Sequence, residues 1–198
     1  TDPGLEYLKK LEILKKLVAE GKIAEAAQWH APHMVAISFN RHLYYPLLAL
    51  ENKDAIPLKL RPLAFDAPSE WEFVRDLEAF YKSTEGKEVI GQRSLYLMRN
   101  AAREEKGLGF ALSGNFYPDF LLWLVDNVSG KQWLTFVDPK GLRNLDLSNP
   151  KLGLHKEVKT LETTLAQQAG PNEPPLVLNA FILSATKFSN LLNVGDPA

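Results

Sequence analysis

Phe120-Leu121-Leu122-Trp123-Leu124-Val125, then Asp126-Asn127-Val128-Ser129-Gly130, then Lys131-Gln132-Trp133-Leu134-Thr135-Phe136-Val137 reads as strand, turn and strand. Apolar, β-branched and aromatic runs on either side of an Asp-Asn-Xaa-Ser-Gly segment are the signature of a β-hairpin. Pro118-Asp119 precedes the first strand and Asp138-Pro139-Lys140 follows the second. Asp119 lies nine residues before Val128 and Asp138 ten after it. Antiparallel pairing therefore brings the two aspartates together at the open end of the hairpin. Side chains return to one face every second residue, so Lys140 projects beside Asp138 if the strand continues that far.

Two carboxylates and an ammonium then converge. Like charges facing each other destabilise a strand end unless a cation lies between them. An all-oxygen donor set suits Mg²⁺, which binds through one or two carboxylates and fills its remaining positions with water and substrate phosphate. Ordinary turn chemistry offers a second reading. Asp138-Pro139-Lys140-Gly141 fits a type I turn, with Asp, Pro and Gly at its first, second and fourth positions. Pro118-Asp119 can likewise simply open a strand.

The pattern Pro118-Asp119, then Asp138-Xaa-Lys140 on the next strand, resembles the motif of the PD-(D/E)XK nuclease superfamily. Arg99-Asn100, Gly114 to Phe120 and Phe136 to Leu142 resemble the C-terminal nuclease region of type III restriction enzyme Res subunits and related helicase-nucleases. His42 to Leu48 is similar to the family segment before the nuclease. Ser69-Glu70 with Phe73-Val74 and Asp76-Leu77 is similar to its opening helix, and Phe181-Ile182-Leu183-Ser184 to its closing strand. The resemblance spans roughly residues 40 to 190, and its central motifs are the specific ones.

This resemblance implies an α/β fold with a restriction-endonuclease-like core, a central mixed sheet flanked by helices, preceded by an N-terminal helical extension. It implies a Mg²⁺- (or Mn²⁺-) dependent endonuclease that hydrolyses DNA phosphodiester bonds. Asp119, Asp138 and Lys140 are its catalytic residues, with Glu70 on the first helix completing the acidic set. Asp119, Asp138 and the Pro139 carbonyl are its metal ligands. Glu72, Asp76 and Glu78 lie on the same helix, and Glu70 and Asp76, six residues apart, do not share a face comfortably at 3.6 residues per turn. A solvated or dipole-favoured position is the alternative for each of these acids.

The implied partners are DNA, an ATP-dependent helicase or translocase region of the same full-length protein, and a methyltransferase subunit. A chain that starts at Thr1 is then expected to be part of a longer enzyme. Two other classes stay open: a catalytically inactive nuclease fold used for DNA or protein docking, and a structural or interaction domain.

Composition sets the outer bounds. The 198 residues, 45% of them hydrophobic, suffice for a real core in one large or two small domains. The absence of cysteine excludes disulfides and thiolate metal sites. The N-terminus lacks the charged-then-apolar order of a signal peptide, and no apolar run reaches about 18 residues, so a cytoplasmic, non-membrane protein is expected. A net charge of −1 and a pI near 6.4 weigh against a dedicated nucleic-acid binder. Local patterning offsets this, since Arg93, Arg99, Arg103, Lys106, Lys131, Lys140 and Arg143 surround the motif while acids concentrate between 70 and 88. The plain alternative is an ordinary solvated face.

Apolar residues at 5, 8, 11, 14, 17 and 18 predict a helix from Leu5 to Glu20, closed by Gly21 and followed by a short helix from Ile23 to about Trp29. The Pro57 to Pro68 stretch reads as a connector leading to Ser69, a good N-cap for a helix over Glu70 to about Lys82. A boundary near 66 separates an N-terminal helical and linker region, 1–66, from the nuclease-like domain, 67–198. Further strands are expected at Ser94–Met98, Gly109–Leu112 and Leu176–Leu183, with a helix from about Lys151 to Gln168. His30 and His33 lack the third and fourth ligands of a metal site and read as structural or surface residues. His155 reads as a surface residue or a neighbour of the site. Trp29, Trp71, Trp123 and Trp133 read as packing residues. No phosphate-binding glycine loop or nucleophile-elbow serine is present.

Overall fold

A computed structural model describes residues 2–37, 41–42, 47–58, 67–100, 117–140 and 153–184. The expected strand at 109–112, Arg103, Lys106 and Arg143 lie outside these residues. The chain forms mixed α/β structure in two compact units, Thr1–Val89 and Ile90–Ala198. This division differs from the expected boundary at residue 66, because it groups the first helix of the expected nuclease-like domain with the N-terminal segment.

In the first unit, α1 (Pro3–Ala19) starts at an Asp2 cap whose carboxylate accepts the Gly4 N–H at 2.9 Å. The helix is followed by α2 (Ile23–Ala26). Strands β1 (His30–Ala31), β2 (Met34–Ile37) and β4 (Leu47–Leu50) form an antiparallel sheet in the order β1-β2-β4. A further two-residue strand, β3, covers Arg41–His42. Tyr7, Leu14, Ala26, Trp29, Met34 and Leu48 are among the core residues joining helices to sheet. Trp29 donates its ring N–H to the Lys10 carbonyl at 2.9 Å, and Tyr7 its hydroxyl to the Pro32 carbonyl at 2.7 Å. Burial of these two rings thus leaves their polar ends bonded.

After a short 3₁₀ turn at Lys53–Ala55 come α3 (Pro68–Lys82) and α4 (Thr84–Ile90). The N-cap of α3 is Ala67, not the expected Ser69. Pro68 is already at the first helical position, where its fixed φ favours the helix and its missing N–H costs nothing. The second helix, α4, was not evident from periodicity. Ser83 makes the break: its hydroxyl donates to the Phe80 carbonyl at 2.7 Å and accepts the Gly86 N–H at 2.9 Å.

The second unit holds a four-stranded mixed sheet in the order β5-β6-β7-β8, formed by β5 (Arg93–Arg99), β6 (Phe120–Asp126), β7 (Gln132–Lys140) and β8 (Leu176–Ser184). Strands β5, β6 and β7 are antiparallel neighbours, whereas β8 runs parallel to β7. Helix α5 (Leu154–Gln168) lies between β7 and β8 in sequence and packs on β8, as a parallel connection requires. Leu121, Leu134, Phe136 and Leu178 on one sheet face meet Leu154 and Val158 of α5. The expected hairpin is present. Its turn is tied by Asp126 Oδ1, which accepts the Val128 and Ser129 N–H groups at 3.0 and 2.7 Å. Gly130 supplies a left-handed φ of 71° that a side chain would strain. Among the described residues, no helix is long and apolar enough to cross a membrane.

Candidate metal site at the mouth of the hairpin

The β6–β7 ladder runs from Val125 opposite Gln132 to Phe120 opposite Val137. One step further along the same register, Asp119 stands across from Asp138. Here the two strands take different partners. The Asp119 carbonyl accepts the Asn100 N–H at 2.8 Å, which keeps Asp119 alongside β5. Asp138, Pro139 and Lys140 continue in register with Ile182, Leu183 and Ser184 of β8. The β6–β7 ladder therefore ends just short of the two aspartates.

The continuous β7–β8 register makes Asp138–Lys140 strand rather than the start of a type I turn. Pro139 has no N–H to give, and it falls beyond the last β6 pair, where a proline is tolerated. By alternation Asp138 shares the α5-bearing face with Leu134 and Phe136, as Asp119 does with Leu121. Asp138 is 1% exposed, and both of its carboxylate oxygens and Oδ2 of Asp119 are buried.

Helix α5 is tied to the sheet by a side chain as well as by its apolar face. The Glu162 carboxylate accepts the Leu178 N–H, fixing that level of the helix against β8. Leu154 and Val158 of the same helix pack in one cluster with Leu121, Leu134 and Phe136. His155, in the first turn, is exposed.

Glu70 belongs to the first unit. It lies in the first turn of α3, is 5% exposed, and shares a helical stripe with fully buried Val74. Burial separates it from the other three acids, since Glu72 and Asp76 are exposed and Glu78 binds Lys82 at 2.6 Å. Among the described residues, no group of three or more His, Cys, Asp or Glu side chains is gathered as for a metal ion. The paired aspartates alone match the number of carboxylates that Mg²⁺ takes when water and substrate complete its shell, and their hard oxygen donors suit it.

Among the described residues, the basic side chains near the motif are dispersed. Arg93 and Lys131 lie over the Trp133 ring, 5.3 and 4.9 Å from its centroid, at the turn end of the hairpin. Trp133 is five residues along β7 from Asp138, about 17 Å at about 3.3 Å per residue. Arg99 stacks on Phe120, 5.4 Å from its centroid, on the sheet face opposite the aspartates. Lys140 ends β7 opposite Ser184. His33 takes a positive φ of 58° after Pro32 and closes the β1–β2 turn, with its Nδ1 3.4 Å from Glu51. It is a turn residue, as a type II geometry explains.

Sequence reasoning gave Asn100 no role of its own. It is 5% exposed and bonds to the segment carrying Asp119. Its signal was position alone, one residue beyond a strand whose register could not be read without its partner. A separate cleft of about 570 Å³ lies at the far end of β8, lined by Leu165, Pro171, Glu173, Pro174 and Leu176, away from the aspartates. No protein-family model, curated protein or solved structure shows a significant match to the chain.

Proposed function

We propose that this chain carries a Mg²⁺- or Mn²⁺-dependent endonuclease domain that hydrolyses DNA phosphodiester bonds. The observation that carries the reading is the β6–β7 register, which ends at Phe120 opposite Val137 and, extended by one residue, sets Asp119 across from Asp138. The mixed sheet with α5 on one face is compatible with a restriction-endonuclease-like core. The same reading takes the domain as part of a cytoplasmic type III restriction enzyme or helicase-nuclease, with a motor region and a methyltransferase as further partners.

In this mechanism Asp119 and Asp138 would hold the cation, with the Pro139 carbonyl as a further oxygen ligand. When bound, such a cation would supply Lewis-acid charge to the scissile phosphate and acidify water, an effect of several kcal/mol. Lys140 orients the attacking water and offsets negative charge developing on the phosphate, a role that preorganised charge fills well. Burial of the Asp138 oxygens limits bulk water there, so charge interactions are weakly screened.

Incubation of the chain with supercoiled plasmid and Mg²⁺ or Mn²⁺ tests this reading. Nicked and linear products that vanish with chelator and with Asp138→Ala are expected. Metal-independent cleavage, or equal cleavage by the variant, contradicts it. Metal-free DNA binding with no turnover identifies a docking domain instead.

A further inference from the structure

Asn100 stands in the same cross-sheet row as the aspartates. The β5–β6 ladder ends with Arg99 opposite Phe120, so the next residues along are Asn100 and Asp119. Asn100 makes two bonds to this neighbouring segment. Its main-chain N–H donates to the Asp119 carbonyl at 2.8 Å, and its Nδ2 donates to the Pro118 carbonyl at 2.9 Å.

Consecutive carbonyls of a regular strand point to opposite edges, so a neighbouring main chain takes only one of them. Here one residue takes both, and the chain bends at Asp119. The side-chain bond therefore draws Pro118 toward β5. Pro118 is itself buried and contributes a restricted φ of its own. The main chain from which the Asp119 carboxylate projects is clamped on the side away from β7.

We infer that Asn100 is a positioning residue for the metal site: its grip on Pro118 and Asp119 holds the Asp119 carboxylate across from Asp138 and sets the cation affinity of the pair. The inference rests on the metal-site reading given above. Groups that orient metal ligands typically change metal affinity or activity by about 10- to 100-fold when removed. Asn100→Ala deletes the Nδ2 donor and leaves the main-chain bond available.

Calorimetric titration of the whole chain with Mn²⁺ tests this, comparing wild type, Asn100→Ala and Asp119→Asn. The expected result is tight binding by wild type, its loss in Asp119→Asn, and a Kd raised about 10- to 100-fold in Asn100→Ala. In plasmid cleavage the same variant should be slow at low Mn²⁺ and recover toward the wild-type rate as Mn²⁺ is raised, a rescue that loss of folded protein does not produce. If Asp119→Asn weakens Mn²⁺ binding and Asn100→Ala binds within about twofold of wild type, the positioning role fails and the metal site stands. If wild type and Asp119→Asn bind Mn²⁺ equally or not at all, both ideas fail. Should Asn100→Ala not fold, Mg²⁺ titration of wild type followed by NMR decides. The Asn100 side-chain amide signals should move with the metal midpoint, and fixed signals overturn the role.

Discussion

Asp119 stands across the sheet from Asp138, one step beyond the last pair of the ladder that joins their strands. Two carboxylates facing each other repel, and cation binding relieves that repulsion. Asp138→Asn removes one charge at nearly constant volume. Mg²⁺ is expected to stabilise wild type and to leave the variant's own stability unchanged. At a hundredfold excess over Kd that stabilisation amounts to about 2.7 kcal/mol. Thermal unfolding of each protein with and without Mg²⁺ measures this, and equal stabilisation of the variant contradicts the site.

Lys140 is the last residue of β7, level with Ser184. In the proposed reaction it acts on the transition state, so Lys140→Ala is expected to lower kcat by about 10²- to 10³-fold. Mn²⁺ affinity should change little. Steady-state kinetics beside calorimetry separates this from loss of the metal.

The second unit depends on the α5 face of its sheet. Leu178 is 1% exposed within that core, whereas Phe181, three residues on, is 55% exposed. Leu178→Ala is expected to cost about 2–5 kcal/mol in urea unfolding. Phe181→Ala should fall within about 0.5 kcal/mol of wild type.

Glu162 should contribute to acid sensitivity. The Lys159 ammonium, and then the Leu178 N–H, hold its carboxyl below the ordinary value near 4.5. A carboxyl with a depressed folded pKa stabilises the fold fully above its ordinary value, and the contribution is lost as pH falls through the folded value. Glu162→Gln is therefore expected to flatten the loss of stability below about pH 4.5 and to reduce stability at neutral pH. Unfolding free energies across that range check the sign.

Much of the second unit was legible because its signals are local. The hairpin is announced by apolar strands around Asp126-Asn127-Val128-Ser129-Gly130, and its midpoint places the aspartates opposite each other. The amphipathic helices α1, α3 and α5 were likewise legible to within a few residues. What escaped depended on partners. Periodicity did not show that Ser83 divides two helices, that Ala67 rather than Ser69 caps α3, or that β7 continues through Pro139 on β8. A proline in Asp-Pro-Lys-Gly looks like a turn until the β6 ladder is seen to stop at Val137. Asn100 escaped for the same reason, and Arg93, Lys131 and Arg99 divide between a sheet end and a sheet face that only the register reveals.

The most direct measurement is a crystal structure of the chain soaked in Mn²⁺, with the ion located by its anomalous signal. An ion lying between the Asp119 and Asp138 carboxylates, and absent from an Asp138→Asn crystal treated in the same way, is the expected result. No ion at that place under saturating Mn²⁺, or one bound equally well without the Asp138 carboxylate, contradicts the proposed metal site.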